Sequence, residues 1–389
     1  MTSAVNRWVG VGRSADKESY TAGSSAATNA LRGRDASLMI VFASDDYDLE
    51  ELLRGINDVS GDRPLIGCST AGEIATDGPD DSSVVVTALG GEGFSVTTAA
   101  ARGASKDLRL SGSSVARSLE IDPLEQPHQV LMLLTDGLAG DQQEIMRGIY
   151  EVTGASVPLV GGCAGDDLDM KQTHQFHGRE VMTDAVVAAG LGSAAPLGIG
   201  VHHGWRAVGE PMIVTKSEGN KVYSLDNRPA LDVYLERLEA PPEVHEDPAA
   251  FTRFAMTHPL GLRRRSDEPQ VRFIGEADLE ERALICIAEV PRSGMVWLME
   301  GDADSVLEAT DAACRDALVG IDRPLGFVAF DCIARRGVLG DEGIKSEVKR
   351  IAAHADGAPV AGFYTYGEIA RTKGITGFHN QTLVVLAIG

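Results

Sequence analysis

Positive charge is what this chain is shortest of: 35 Lys and Arg stand against 57 Asp and Glu, a formal net charge of −22 over 389 residues. Nucleic acid and anionic membrane surfaces repel such a chain, so neither is expected as its main partner. Long apolar runs are missing as well. No stretch approaches the roughly 20 residues that a membrane-spanning helix needs, and no basic segment leads into an apolar one at the N-terminus. Cysteine is sparse, with Cys68, Cys163, Cys286, Cys314 and Cys332 scattered along the chain. Odd in number and without metal-type spacing, they argue against a disulfide framework and for a reducing cytoplasm. Walker loops, Gly-x-Gly-x-x-Gly and His-Glu-x-x-His are absent. So is Cys-x-x-Cys-His, which excludes covalently attached haem.

What is present is repetition. Pro64-Leu65-Ile66-Gly67-Cys68-Ser69-Thr70-Ala71-Gly72-Glu73-Ile74 returns as Pro359-Val360-Ala361-Gly362-Phe363-Tyr364-Thr365-Tyr366-Gly367-Glu368-Ile369. A looser copy, Pro158-Leu159-Val160-Gly161-Gly162-Cys163-Ala164-Gly165-Asp166, lies between them. Each is an apolar run that breaks into small residues and closes on Gly and an acid. A recurring Gly suits positive φ or close approach of another group. Each copy follows an apolar strand and a helix, and duplicated order of this kind signals duplicated architecture.

With 43% hydrophobic residues the chain reads as globular, and its length favours two domains. Four passes of a strand-helix-strand pattern are expected. Strands are predicted at 38–43, 84–89, 94–100, 130–134, 186–191, 197–203 and 325–330. Helices are predicted at 20–31, 106–119, 142–152, 303–318 and 342–353, and in a stripe of Leu49, Leu52, Leu53 and Ile56. Further strands are predicted at 253–257, 271–274 and 284–288, and a helix after Asn227. The fold class is α/β, as two related layered domains with mixed sheets. The acidic, Pro-bearing loop 239–248 places the boundary nearby, giving domains 1–235 and 236–389.

Several separated motifs carry a family resemblance. Val41-Phe42-Ala43-Ser44 with the run 64–74 resembles the N-terminal half of FIST proteins, as does Val201-His202-His203-Gly204-Trp205 with Pro229-Ala230-Leu231-Asp232-Val233-Tyr234. Residues 362–369 with His379-Asn380-Gln381-Thr382-Leu383 resemble the end of the C-terminal half. The resemblance implies a cytoplasmic sensory module for a small, amino-acid-like ligand. It implies output through a separate protein, a histidine kinase, a cyclic-dinucleotide enzyme or a chemotaxis protein. It also leaves open haem b, since some similar stand-alone members sense nitric oxide with haem.

The repeat turns hold the expected ligand residues: Ser69, Thr70 and Glu73, then Asp166 and Asp167, then Tyr364, Tyr366 and Glu368, with His379 and Asn380 beside the last turn. Tyr364 and Tyr366 are two apart and share a face if extended. With Glu368 they would offer aromatic walls and a carboxylate to an amino group. The alternative is that the glutamates only accept backbone N–H bonds. Arg263-Arg264-Arg265 reads as a solvated loop, and Arg272, at a strand start, is the better ligand candidate.

Haem ligation needs a neutral imidazole aimed into an apolar cleft. His177, after Phe176 and before Gly178, is the first choice, ahead of His203 and His379. A hydrolase or transferase is the remaining alternative. Gly67-Cys68-Ser69-Thr70-Ala71 fails the Gly-x-Ser-x-Gly pattern at Ala71, and Cys68 sits where a packed, neutral thiol is the common outcome.

Overall fold

A computed structural model describes residues 7–119, 126–263, 269–372 and 377–389. It is an α/β structure with mixed sheets, and three stretches of chain repeat one order of elements. The first copy runs through strand Trp8–Ser14, helix Ser19–Leu31, strand Leu38–Ala43, helix Leu49–Ser60 and strand Leu65–Ser69. A short arm, Glu73–Ala75, then leaves the sheet, and strand Val84–Gly90 returns to it. The second copy follows the same course from Phe94–Arg102 to Ala185–Ser193, with the arm Gln175–His177. The third runs from Leu197–His202 to Leu383–Ile388, with the arm Glu368–Arg371.

Register makes the copies equivalent residue by residue. In the parallel strand pairs Val41 lies opposite Gly67, Leu133 opposite Gly161 and Ala329 opposite Gly362. A Cβ at any of these glycines would overlap the carbonyl oxygen of the residue opposite. Close approach of a neighbouring strand is therefore why Gly recurs there.

Each arm pairs with another copy's sheet. Glu73–Ala75 lies antiparallel on strand Val360–Thr365, Glu368–Arg371 on strand Leu159–Cys163, and Gln175–His177 on strand Leu65–Ser69. Ile74, Ile369 and Phe176 sit directly opposite Gly362, Gly161 and Gly67. The exchange closes a ring of three sheets, with helices outside and a shared core within. Phe42, Leu134, Val160, Phe330 and Phe363 all belong to that core. The Phe42 and Phe363 rings are 4.6 Å apart between centroids. Burying each such side chain contributes about 1.5–3 kcal/mol.

Between His202 and Ala303 the chain builds a separate antiparallel sheet. Helices Ala230–Arg237 and Pro248–Met256 cover it, over a core that includes Met212, Val214, Tyr234, Phe251 and Leu298. Here the structure differs from the expected four passes. The third pass supplies only strand Leu197–His202 to the ring, and its remaining strands form the inserted sheet. Residues 253–257, expected as a strand, are mostly helical. Asp247 accepts the Ala249 N–H at 2.9 Å and Pro248 fills the first turn, a start that β-favouring residues downstream do not override. Residues 235 and 236, where the two expected domains meet, are neighbours within helix Ala230–Arg237.

Candidate functional site

Strand exchange decides what the repeat turns can do, because each turn is covered by the arm it launches. Glu73 is fully buried and accepts the Ser83 N–H at 2.9 Å, the Ser83 hydroxyl at 2.8 Å and the Thr70 hydroxyl. Glu368, at the same place in the third copy, accepts the Thr382 N–H at 2.9 Å and its hydroxyl at 2.7 Å. Burial pushes both carboxyls up to about 8. The Ser69 hydroxyl donates to the Gly165 carbonyl at 2.7 Å and accepts the His174 N–H at 2.9 Å. Ser69 thus ties the first copy to the second, the two glutamates brace their own copies, and all three are buried.

The two tyrosines part company. Tyr364 ends up fully buried between the third sheet and its helices, its ring 5.1 Å from the Arg336 guanidinium. Tyr366, one residue past the strand, turns towards the second copy and hydrogen-bonds the Asp166 carboxylate through its hydroxyl. The expected pair of aromatic walls with Glu368 is therefore not formed, because the strand ends between the tyrosines. Burial works to raise Asp166. The Tyr366 hydroxyl and the N–H groups of Lys171, Gln172 and Met170 outweigh it and hold that carboxyl below its usual range. Asp167 is exposed, with φ +50°. Arg272 is buried in the inserted sheet, donating to the Glu289 carbonyl at 3.2 Å. His379 lies 2.9 Å from the Ala370 carbonyl, and Asn380 is buried beside it with neither amide atom hydrogen-bonded among the described residues. Arg264 and Arg265 lie outside the described residues.

Of the expected residues, Tyr366 lines open space. It forms part of a cleft of about 670 Å³ where the second copy meets the inserted sheet. Cys163, Phe378 and Ala288 contribute apolar lining, with Leu138 and the exposed side chain of Ile287. Asp141 and Glu144 come from the first turn of helix Gln142–Thr153, Asn220 from a hairpin tip of the inserted sheet, and Glu289 from a later segment of it. Arg147 pairs with Glu144 and reaches Glu289 at 3.1 Å, so one guanidinium clasps both sides. Among the described lining residues three acids face one arginine, a net negative set. Burial, then the nearby Glu289 charge, raises the Asp141 carboxyl above its usual range. The Cys163 thiol is pushed up to about 12 by burial and accepts from the Thr135 hydroxyl at 3.2 Å, so it stays neutral.

Asp141, an acid just ahead of its helix in the sequence, caps it by accepting the Gln143 N–H at 3.0 Å. Nothing in the sequence announces that residues 219–220 and 287–289 lie opposite, since that depends on how the insertion packs.

The other residues named for chemistry lie elsewhere. His177 is on an exchanged arm, its Nε2 3.1 Å from the Thr98 hydroxyl. Neither this cleft nor a second cavity of about 600 Å³ is lined by a histidine, so neither offers the imidazole that haem ligation needs. Cys68 is fully buried and its thiol raised well above the ordinary range, a poor nucleophile.

Known proteins share this chain's pattern. It is 26% identical over 270 residues to an uncharacterized Mycobacterium tuberculosis protein, covering 66% of this chain and 67% of that one. A second relative, an uncharacterized protein of Methanocaldococcus jannaschii, is 27% identical over 188 residues, 46% of this chain and 36% of its own length. The chain thus spans about a third of the archaeal protein and about two thirds of the mycobacterial one. A solved structure of PurLQS from Thermotoga maritima aligns over 98% of this chain and 72% of its own at 10% identity and a TM-score of 0.22. The FIST N domain matches residues 37–228 and the FIST C domain residues 230–371. Between them they cover most of the chain, which belongs to the FIST family, whose domains are associated with sensing small ligands in signalling.

Proposed function

We propose that this chain is a sensor for an amino-acid-like ligand, held in the cleft between the second copy and the inserted sheet. The observation that carries the reading is the cleft's lining: three carboxyls and a guanidinium above an apolar floor, in a volume suited to a small molecule. An ammonium group finds Asp141 and Glu289, a carboxylate finds Arg147, and a hydrocarbon side chain finds Leu138, Ile287 and Phe378. The chain works by binding, and its output passes to a separate signalling protein. A histidine kinase, a cyclic-dinucleotide enzyme or a chemotaxis protein is the partner class that the family resemblance suggests.

Arg147 also supplies a means of response. Its bond to Glu289 joins the two walls, and both side chains are more than a third exposed, so the pair itself stabilises little. A ligand carboxylate that draws Arg147 away releases one wall from the other.

The test is calorimetric titration with a panel of proteinogenic amino acids. Saturable binding of at least one is expected, weakened about tenfold or more in Asp141→Asn and in Arg147→Ala. Neither variant should shift the melting temperature of the free protein by more than a few degrees. Binding that both variants leave unchanged would place the ligand elsewhere.

A further inference from the structure

The second cavity has the opposite charge, and this is unusual in so acidic a chain. It lies between the first and third copies and is lined by Arg13, Asn29, Arg32, Arg34 and Asp77 among others. Among the described lining residues three guanidiniums face one carboxylate, and with Asp80 also paired to Arg13 the surplus positive charge rests on Arg32 and Arg34, whereas the described lining of the ligand cleft is net negative. The two share no lining residue.

The arginines differ in how they are held. Arg13 is tied to Asp77 at 3.2 Å and Asp80 at 3.1 Å, which fixes it as one wall. Arg34 stacks over the Trp8 ring, its guanidinium carbon 3.9 Å from the ring centroid, and its Nε lies 3.4 Å from the Leu31 carbonyl. Arg32 stands at the end of helix Ser19–Leu31 in a left-handed conformation, with φ +47°. Among the described residues neither Arg32 nor Arg34 has a carboxylate partner, although acids outnumber bases 57 to 35. Two of the last helix carbonyls are engaged, Thr28 by the Arg32 N–H at 3.0 Å and Leu31 by the Arg34 N–H at 2.9 Å. The exposed Asn29 stands beside Gly12, where a Cβ on that glycine would meet it.

We propose that this cavity is a second binding site, for a phosphate-bearing small molecule. The lining draws its guanidiniums from the helix end, from the segment after it and from the strand edge, and donors on several sides suit a tetrahedral anion, which presents oxygens in several directions. A planar carboxylate engages one such fork well and the others poorly. The volume leaves room for an organic group beyond the phosphate.

The test uses inorganic pyrophosphate as probe, titrated into the full chain at low salt. Saturable binding is expected, weakened about tenfold in Arg32→Gln and further in Arg32→Gln with Arg34→Gln. Arg32→Gln changes an exposed side chain, so it keeps the test readable if the double variant unfolds. Arg179→Gln removes the same charge beside Asp62, at a site that does not line the cavity, and should leave affinity unchanged. Citrate should bind at least tenfold more weakly than pyrophosphate. Equal weakening by Arg179→Gln, citrate binding as tight as pyrophosphate, or no saturation by either anion would each overturn the proposal. None of these outcomes touches the amino-acid reading of the other cleft.

Discussion

Glu73 and Glu368 occupy one position in two copies of the repeat. Each begins an exchanged arm, and each accepts the N–H and the hydroxyl of a residue just ahead of the returning strand, Ser83 and Thr382. The second copy begins its arm with Gln175, whose side-chain oxygen accepts the Ala185 N–H at 3.1 Å. An uncharged amide serves this position in one copy, which agrees with the other two being neutral carboxyls in the folded state.

The contribution of these two groups to stability should therefore fall as pH rises from about 4.5 to about 8. Both carboxyls have folded pKa values raised from 4.5 to about 8, so folding favours the protonated form. Their contribution is fully present below the unfolded value and is lost as pH rises through the folded one. A shift of this size is worth on the order of 5 kcal/mol per group. Glu73→Gln and Glu368→Gln should raise the urea midpoint at about pH 8.5 and change it little near pH 4. If the midpoints respond equally at both pH values, the carboxyls are ionised in the fold.

The repeat itself was legible in the sequence because Gly67, Gly161 and Gly362 each meet a carbonyl oxygen that leaves no room for a Cβ. Topological equivalence of Gly67 with Gly362, and of Glu73 with Glu368, follows the motif alignment. Exchange of the arms was not legible. Ile74 packs equally well in pattern terms on its own sheet or on another, and only three-dimensional closure selects Gly362 as its partner. For the same reason Tyr364 and Glu368 looked like ligand residues: their polarity was visible, but not the arm and helices that cover them. The inserted sheet hid the cleft, since Asn220 and Glu289 meet Asp141 through packing across about 80 to 150 residues of chain.

Gly67→Ala tests the close approach directly. The new methyl would overlap the Val41 carbonyl and press on the Phe176 ring of the exchanged arm. Strands Leu38–Ala43 and Leu65–Ser69 must separate to admit it, at a cost of about 1–3 kcal/mol as for other overpacked sites. Gly178→Ala makes a useful comparison: nothing stands within 4 Å of its Cβ position, although φ there is +59° and adds strain of its own. Chemical denaturation should show a loss for Gly67→Ala that includes an altered dependence on denaturant if the arm is released. A stability equal to that of the parent chain would refute the steric account.

The third copy holds a buried ion cluster whose response to mutation should be lopsided. Arg335, fully buried, donates to Asp331 at 2.7 Å, to Glu347 and to the Thr310 hydroxyl at 3.0 Å. It spans the break at Gly340, φ +63°, between the two parts of segment Ile333–His354, since Arg335 precedes that break and Glu347 follows it. Two acids face one guanidinium, and burial, followed by the Glu347 charge, raises the Asp331 carboxyl well above its usual range. Arg335→Met removes the only cation in contact among the described residues and leaves both acids buried without it, a loss of about 3–5 kcal/mol. Glu347→Gln removes the surplus acid and leaves a one-to-one pair with Asp331, so it should cost under about 1.5 kcal/mol, the net worth of one ordinary hydrogen bond. Urea unfolding of the two variants at neutral pH decides the matter. Equal losses in both would mean that the cluster acts through packing rather than charge.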